Sequence, residues 1–333
     1  MEPSALDRSA LDRSAIDDDL RGALWSGFGI RIDAATPILG GDECLLWHVT
    51  APRSLVVRAA PVWRSDAELR WAYGVAAALR AYVPEVVTPE SPGIVRLRGR
   101  ALTVWPYAAG RHLDRDRPDD RVAAARLLAR LHRATVLVAD PGNRPPSDPG
   151  GPADWPRIAT ADWTRTATAD RPRIATAGCQ RVATADDLAD PELDETLASW
   201  RAGAGGVAPR GPVHGDYYRR NILDCDGRLA LLDWDDARID AVSVELAWSV
   251  WEFGHSGSTL DPARARGFLD EYRRAGGPPY DAGMIVPFIR YRLRWEIARS
   301  RSAAAVGEYH DLAYEADEVR AFAMLRGTTP ADQ

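Results

Sequence analysis

The run His214-Gly215-Asp216-Tyr217-Tyr218-Arg219-Arg220-Asn221, with Asp233-Trp234-Asp235 following twelve residues after Asn221, sets one carboxylate, one carboxamide and a second carboxylate at fixed offsets. Phosphoryl transfer from a nucleotide needs this set. One Asp accepts or orients the proton of the attacking hydroxyl, and an Asn and a second Asp hold the magnesium ions that bridge the phosphates. Between the two parts, Leu223 to Leu232 with Asp226-Gly227 at its middle reads as a hairpin that fixes the Asn-to-Asp distance.

The rest of the chain has to supply a scaffold for that chemistry. Its 333 residues are enough for two lobes, and 46% hydrophobic residues indicate a folded globular protein. A formal net charge of −6 argues against a general nucleic-acid binder and mildly favours a cationic small molecule. There is no lysine: all 42 basic residues are arginine. Cys44, Cys179 and Cys225 lack the spacing of a disulfide framework or a zinc site. The first twenty residues lack the apolar core of a signal peptide, and no stretch approaches the ~18 apolar residues of a membrane span, so the cytoplasm is the expected compartment and no membrane partner is expected.

Residues 4–18 repeat a five-residue unit, and residues 1–22 read as a disordered or weakly helical leader. Residues 23–105 form the first lobe. Ile30 and Ile32, Leu45 to Val49 and Leu55 to Arg58 read as strands, broken at Gly40-Gly41 and Pro52. A helix over 66–81 carries Leu69, Ala72, Tyr73, Ala76 and Leu79 at helical spacing behind Ser65 as N-cap. A hairpin, Ile94–Leu97 and Ala101–Trp105, turns at Arg98-Gly99-Arg100. Residues 106–333 read as a helical lobe with helices over 119–135, 191–201, 241–253, 261–275, 284–303 and 308–325. Within it, the low-complexity segment 145–186 contains four octads (155–162, 163–170, 171–178 and 179–186), each with an Ala-Thr-Ala core. Eight residues do not match a solenoid unit of roughly 20 or more, so the octads read as an expanded surface loop, with a lid or partner-binding insertion as the alternative.

A five-stranded lobe with one helix, followed by a helical lobe carrying His-Gly-Asp-x₄-Asn and Asp-Trp-Asp, resembles the aminoglycoside phosphotransferase and choline kinase family over roughly residues 30–325, most strongly over 211–248. The resemblance implies an α+β, bilobal protein-kinase-like fold, with a small antiparallel sheet and one helix in the N-lobe and a larger helical C-lobe. It also implies a small-molecule kinase that uses ATP or GTP with Mg²⁺ to phosphorylate a substrate hydroxyl. By position, Asp216 matches the catalytic base, and Asn221 and Asp233 the metal ligands.

Other residues follow from the same resemblance. His214 supports the loop, Asp235 is a supporting carboxylate or a third metal contact, and Arg219 sits where it can neutralise phosphate charge or remain a solvated loop arginine. Arg58 stands where the family usually has a phosphate-binding lysine; its fork can bind phosphate bidentately. Glu68 fits two roles: ion-pair partner of Arg58, or the third residue of a capping box begun by Ser65. Gly40-Gly41 lies where a glycine-bearing loop covers the phosphates, and Val104 to Tyr107 is the expected hinge whose backbone meets the purine. Acidic candidates for the acceptor site are Asp270, Glu271 and Glu296. The rival reading is a catalytically inactive, pseudokinase-type nucleotide binder. The sequence leaves the oligomeric state open.

Overall fold

The computed structural model describes residues 16–39, 44–139, 141–145, 188–203, 205, 208–305 and 312–326. The start of the repeated leader, Gly40-Gly41, Cys179 and the octads lie outside the described residues. The chain divides into two compact units, the first within Met1–Leu113, Pro141–Gly151 and Arg220–Ala237, the second within Asp114–Asp140, Pro152–Arg219 and Arg238–Gln333. This division differs from a single boundary after residue 105. Strand β6 (Arg111–His112) pairs with β8 (Ile222–Cys225), which draws the chain around 113 and the hairpin after Asn221 into the first unit.

The first unit is built on an antiparallel sheet of order β1-β2-β3-β5-β4, formed by Ala34–Pro37, Leu45–Thr50, Ser54–Ala59, Arg100–Pro106 and Val95–Leu97 respectively. Strand alternation sends Leu45, Trp47, Val49, Leu55, Val57, Ala59, Leu102 and Val104 to one face, where they form a core with Leu20 and Leu24. Those two leucines come from α1 (Asp18–Phe28), a helix that begins inside the segment expected to be a leader. Asp17 caps it by accepting the Leu20 N–H at 2.8 Å, and Arg98 binds Asp17 and Asp19 at 2.7 Å each. Both leucines are fully buried, worth roughly 1.5–3 kcal/mol each, which is what turns a weak helical sequence into a packed element.

The strand expected at Ile30 and Ile32 begins instead at Ala34. Gly29, at φ 68°, ends α1 and sends the chain onward with Ile30 and Ile32 packed against the core, and pairing starts where Asp33 N–H reaches the Thr50 carbonyl at 2.8 Å. The 95–106 hairpin turns at Arg98 (φ 48°) and Gly99 (φ 77°), two positive φ values in succession as a tight two-residue turn requires. The opposite face of the sheet carries Arg58, Thr103 and Trp105, with Tyr73 of α2 (Asp66–Arg80) edge-on to Trp105.

The second unit is mainly helical. Helix α5 (Val242–Gly254) is buried at every position, the signature of a central core helix. Around it pack α3 (Pro118–Thr135), α6 (Pro262–Arg274) and α7 (Ile285–Ala305), while α4 (Pro191–Ala202) and α8 (Leu312–Leu325) pack on α7. A two-stranded ladder, β7 (Arg210–Val213) with β10 (Arg238–Ala241), pairs Val213 with Arg238 and so fixes the point where His214 leaves the sheet. No described helix is long and apolar enough to cross a membrane.

Candidate functional site

In the first unit the site residues form a chain of guanidinium and carboxylate contacts. Arg58 forks: Nη1 donates to Asp235 and Nη2 to Asp233, the latter at 2.8 Å. The Tyr73 hydroxyl donates to the same Asp235 oxygen at 3.2 Å. Burial opposes the charge on Arg58, but Asp233 and Asp235 outweigh it and hold the guanidinium firmly protonated. The expected Arg58–Glu68 ion pair is not formed. Glu68 pairs with Arg64 at 2.6 Å and with Arg144, and Arg64 also reaches Asp236 at 2.6 Å. The reason is local: Arg64 stands one helical turn before Glu68, and the Glu68 N–H is fixed to Ser65 Oγ at 3.1 Å, so the carboxylate is turned toward its neighbour. The capping half of the Glu68 reading therefore describes its backbone, and two arginines that sequence reasoning missed take its side chain.

Asn221 and Asp233 also belong to the first unit. Strand β8 pairs with β9 (Arg228–Leu231) around Asp226 (φ 54°) and Gly227 (φ 83°), the hairpin the sequence signals at Asp226-Gly227. At its open end the Asn221 carbonyl accepts the Leu232 N–H at 2.8 Å, which brings Asn221 opposite the residue before Asp233. Asp233 itself is left-handed, φ 58°, a conformation few residue types tolerate as well as Asp and one that concentrates at functional positions. Among the described residues no group of three or more His, Cys, Asp or Glu could hold a metal alone. One carboxamide and one carboxylate fit magnesium nonetheless, because that ion takes few protein oxygens and fills its octahedron with phosphate and water.

The second unit holds the loop of Asp216. Gly215, at φ 89°, sits where a side chain would be strained, and its peptide is pinned on both sides. Its N–H donates to Glu245 at 2.6 Å, and its carbonyl accepts from Arg238 at 3.0 Å and Arg292 at 3.2 Å. His214 is fully buried, and its Nδ1 accepts the Asp216 N–H at 3.2 Å. Glu245 also meets His132 at 2.9 Å, whose other ring nitrogen meets the Tyr272 hydroxyl at 2.8 Å. Burial raises the Glu245 carboxyl, but the hydrogen bond and charge of His132, helped by His214 and the Gly215 N–H, hold it below the ordinary range.

Arg292 approaches Asp216 at 3.7 Å, binds Glu296, and lies over the rings of Trp248 and Trp295 at 4.9 and 4.8 Å. Its neighbourhood is acidic. Glu252 is buried; burial raises its carboxyl, Arg115 and Arg219 draw it back, and Glu296 adds to the rise. Glu318 is buried without a hydrogen-bond partner of good geometry for either oxygen. Burial first, then Glu296 and Glu252, push its carboxyl up to about 9, against which the nearby Tyr314 hydroxyl and Arg292 act weakly. Of the acidic candidates, Glu296 belongs to this group, whereas Asp270 pairs with Arg273 and Glu271 with Arg126 and Arg274. Arg219 lies close enough to act on Glu252 and Arg115. Tyr107 is 41% exposed and stacks on His48 at a centroid distance of 3.9 Å; no motif signalled His48.

Comparison with known proteins converges on one fold. The profile of the phosphotransferase enzyme family (APH) matches residues 35–280. The choline kinase LicA from Streptococcus pneumoniae superposes with a TM-score of 0.65 at 13% identity, over 92% of this chain and 97% of that one. The amicoumacin kinase hAmiN, in complex with AMP-PNP, Ca²⁺ and Ami, gives 0.62 at 13% identity over 89% and 90%. The spectinomycin phosphotransferase APH(9)-Ia, in complex with ADP and spectinomycin, gives 0.58 at 13% identity over 92% and 93%. No curated protein sequence matches significantly. The fold is that of the protein-kinase-like phosphotransferases, α+β in class.

Proposed function

The chain belongs to the phosphotransferase enzyme family, and from that premise we propose that it transfers the γ-phosphoryl group of ATP or GTP to a hydroxyl of a small, positively charged acceptor. Asp216 takes or orients the hydroxyl proton, and Asn221 and Asp233 hold Mg²⁺. Magnesium held by these two side chains would supply positive charge for the phosphate oxygens. Arg58 meets the phosphates, and most of the rate enhancement comes from positioning and from charge stabilisation. The observation that supports this reading is the hairpin, in which the Leu232 N–H donates to the Asn221 carbonyl at 2.8 Å and so sets the Asn221 backbone opposite the residue before Asp233.

The cationic acceptor rests on Glu252, Glu296 and Glu318, which share the second unit with Asp216 and act on the same Tyr314 hydroxyl as that aspartate does. A cation brought to Glu318 would favour its charged form and expel its proton. The test is Mg²⁺-dependent consumption of ATP or GTP over a panel of alcohols with and without fixed positive charge. We expect turnover on charged members, and a loss of about 10²–10⁴-fold in Asp216→Ala with nucleotide affinity retained. Wild-type turnover in Asp216→Ala, or nucleotide binding with no turnover on any alcohol, would sink the proposal; the second result would favour a non-catalytic nucleotide binder.

A further inference from the structure

The face of the β-sheet that bears Arg58 carries a second residue that no motif signals. Register pairs Leu46 with Arg58 and His48 with Val56, so His48 lies on the Arg58 face, one pleat along the strand. Trp47 and Val49, its neighbours in sequence, point into the opposite core. The His48 ring stacks on Tyr107 with centroids 3.9 Å apart and planes 23° from parallel. Its Nε2 is sealed from solvent and makes no hydrogen bond. An unsatisfied buried polar atom costs on the order of 1–3 kcal/mol, and such a cost is kept where a ligand removes it.

The hinge backbone sharpens the point. Pro106 has no N–H, and the Tyr107 N–H is spent on the Ser54 carbonyl at 3.3 Å. Two consecutive main-chain positions of the expected purine-reading segment thus offer no free donor. A flat, hydrogen-bonding heterocycle needs a ring to stack on and a polar atom at its edge, and His48 offers both.

We propose that His48 is the purine-recognition residue of the nucleotide lobe, presenting its ring face to the base and Nε2 to a polar atom of the nucleoside. Tyr107, two-fifths exposed, covers that ring face and gives it up to the base. The inference rests on the phosphotransferase reading above and adds to it the side chain that reads the base.

The test is calorimetric titration of the full-length protein and its His48→Ala and His48→Phe variants with MgATP, MgGTP and inorganic triphosphate, which has no base. In His48→Ala the ATP or GTP affinity should fall about tenfold, the scale of one lost stacking contact. His48→Phe should recover most of that loss, while levelling any preference between ATP and GTP. Triphosphate affinity should be equal in all three proteins, and kcat should stay at the wild-type value while KM for the nucleotide rises. Unchanged nucleotide affinity in His48→Ala overturns the inference, as does a parallel loss of triphosphate binding, which marks a structural role. Wild-type protein that binds triphosphate as tightly as ATP overturns it too and leaves the phosphotransferase reading standing. Wild-type protein that binds none of the three removes that reading and the inference with it.

Discussion

Two clusters, one in each unit, meet the same electrostatic problem differently. In the first unit, acids are balanced by cations: Arg58 spans the exposed Asp233 and the buried Asp235, Arg64 spans the buried Glu68 and the half-buried Asp236, and Arg144 adds a second contact to Glu68. In the second unit, burial and then Glu296 and Glu252 push the Glu318 carboxyl toward its protonated form, while Arg292 is shared among Asp216, Glu296 and the Gly215 carbonyl. A cation-balanced cluster is a finished structure at neutral pH. A proton-balanced one holds charge in reserve, released when a positive ligand replaces the proton. The contrast suits the proposal that the first unit receives an anionic nucleotide and the second a cationic acceptor.

Breaking the first cluster should have the largest effect. Arg58→Ala leaves Asp235, whose side chain is 5% exposed, buried without its guanidinium, at a cost of about 3–5 kcal/mol. Chemical denaturation should show that loss, together with a lower affinity for nucleotide. Wild-type stability would mean that solvent reaches Asp235 freely and that the two clusters do not differ in kind.

The second cluster is sharpened by a pH titration of stability. Burial, with Glu296 and Glu252 beside it, pushes the Glu318 carboxyl up to about 9 in the folded chain against 4.5 for an ordinary glutamate. A raised pKa means that the folded state binds the extra proton. Its contribution is complete below pH 4.5 and is lost as pH rises toward 9. Between pH 7 and 8 the slope from this one group should approach about 1.4 kcal/mol per unit. Glu318→Gln, which keeps a neutral side chain, should flatten that part of the curve. An unaltered slope would show that Glu318 is already ionised at neutral pH.

The smallest effect tests the scaffold of the first cluster. Ser65→Ala removes the cap that holds the Glu68 N–H and should cost about 1 kcal/mol in thermal or denaturant unfolding. Nucleotide affinity should be little changed, because Arg64 and Arg144 still hold the Glu68 carboxylate.

What could be read from the sequence follows the range of the interactions. The helices after residue 118 and both tight turns are local: apolar periodicity and paired positive-φ sites specify them. The His214–Asn221 loop and Asp233 are legible because their chemistry demands fixed offsets along the chain. Only the first turn of helix α1 falls within the expected leader, 1–22, and its apolar pattern there is faint; the sheet that Leu20 and Leu24 pack on makes the helix worth forming. The partners of Arg58 are not legible locally, because Asp233 and Asp235 lie 175 and 177 residues away and nothing along the strand says which acid arrives. Glu252 and Glu318 look like ordinary solvated helix carboxylates; their burial comes from the packing of helices distant in sequence. His48 looks like any strand residue until the ladder sets it opposite Val56.

The fork at Arg58 also bears on why an arginine occupies that strand. An ammonium is one compact point of charge, whereas a guanidinium has two ends held in a plane. Here one end grips an acid sealed in the interior and the other an acid at the surface, so a single side chain is both rivet and receptor. A lysine would have to reach both acids from one nitrogen, so replacing Arg58 would bring the surface acid and the buried acid toward a single point.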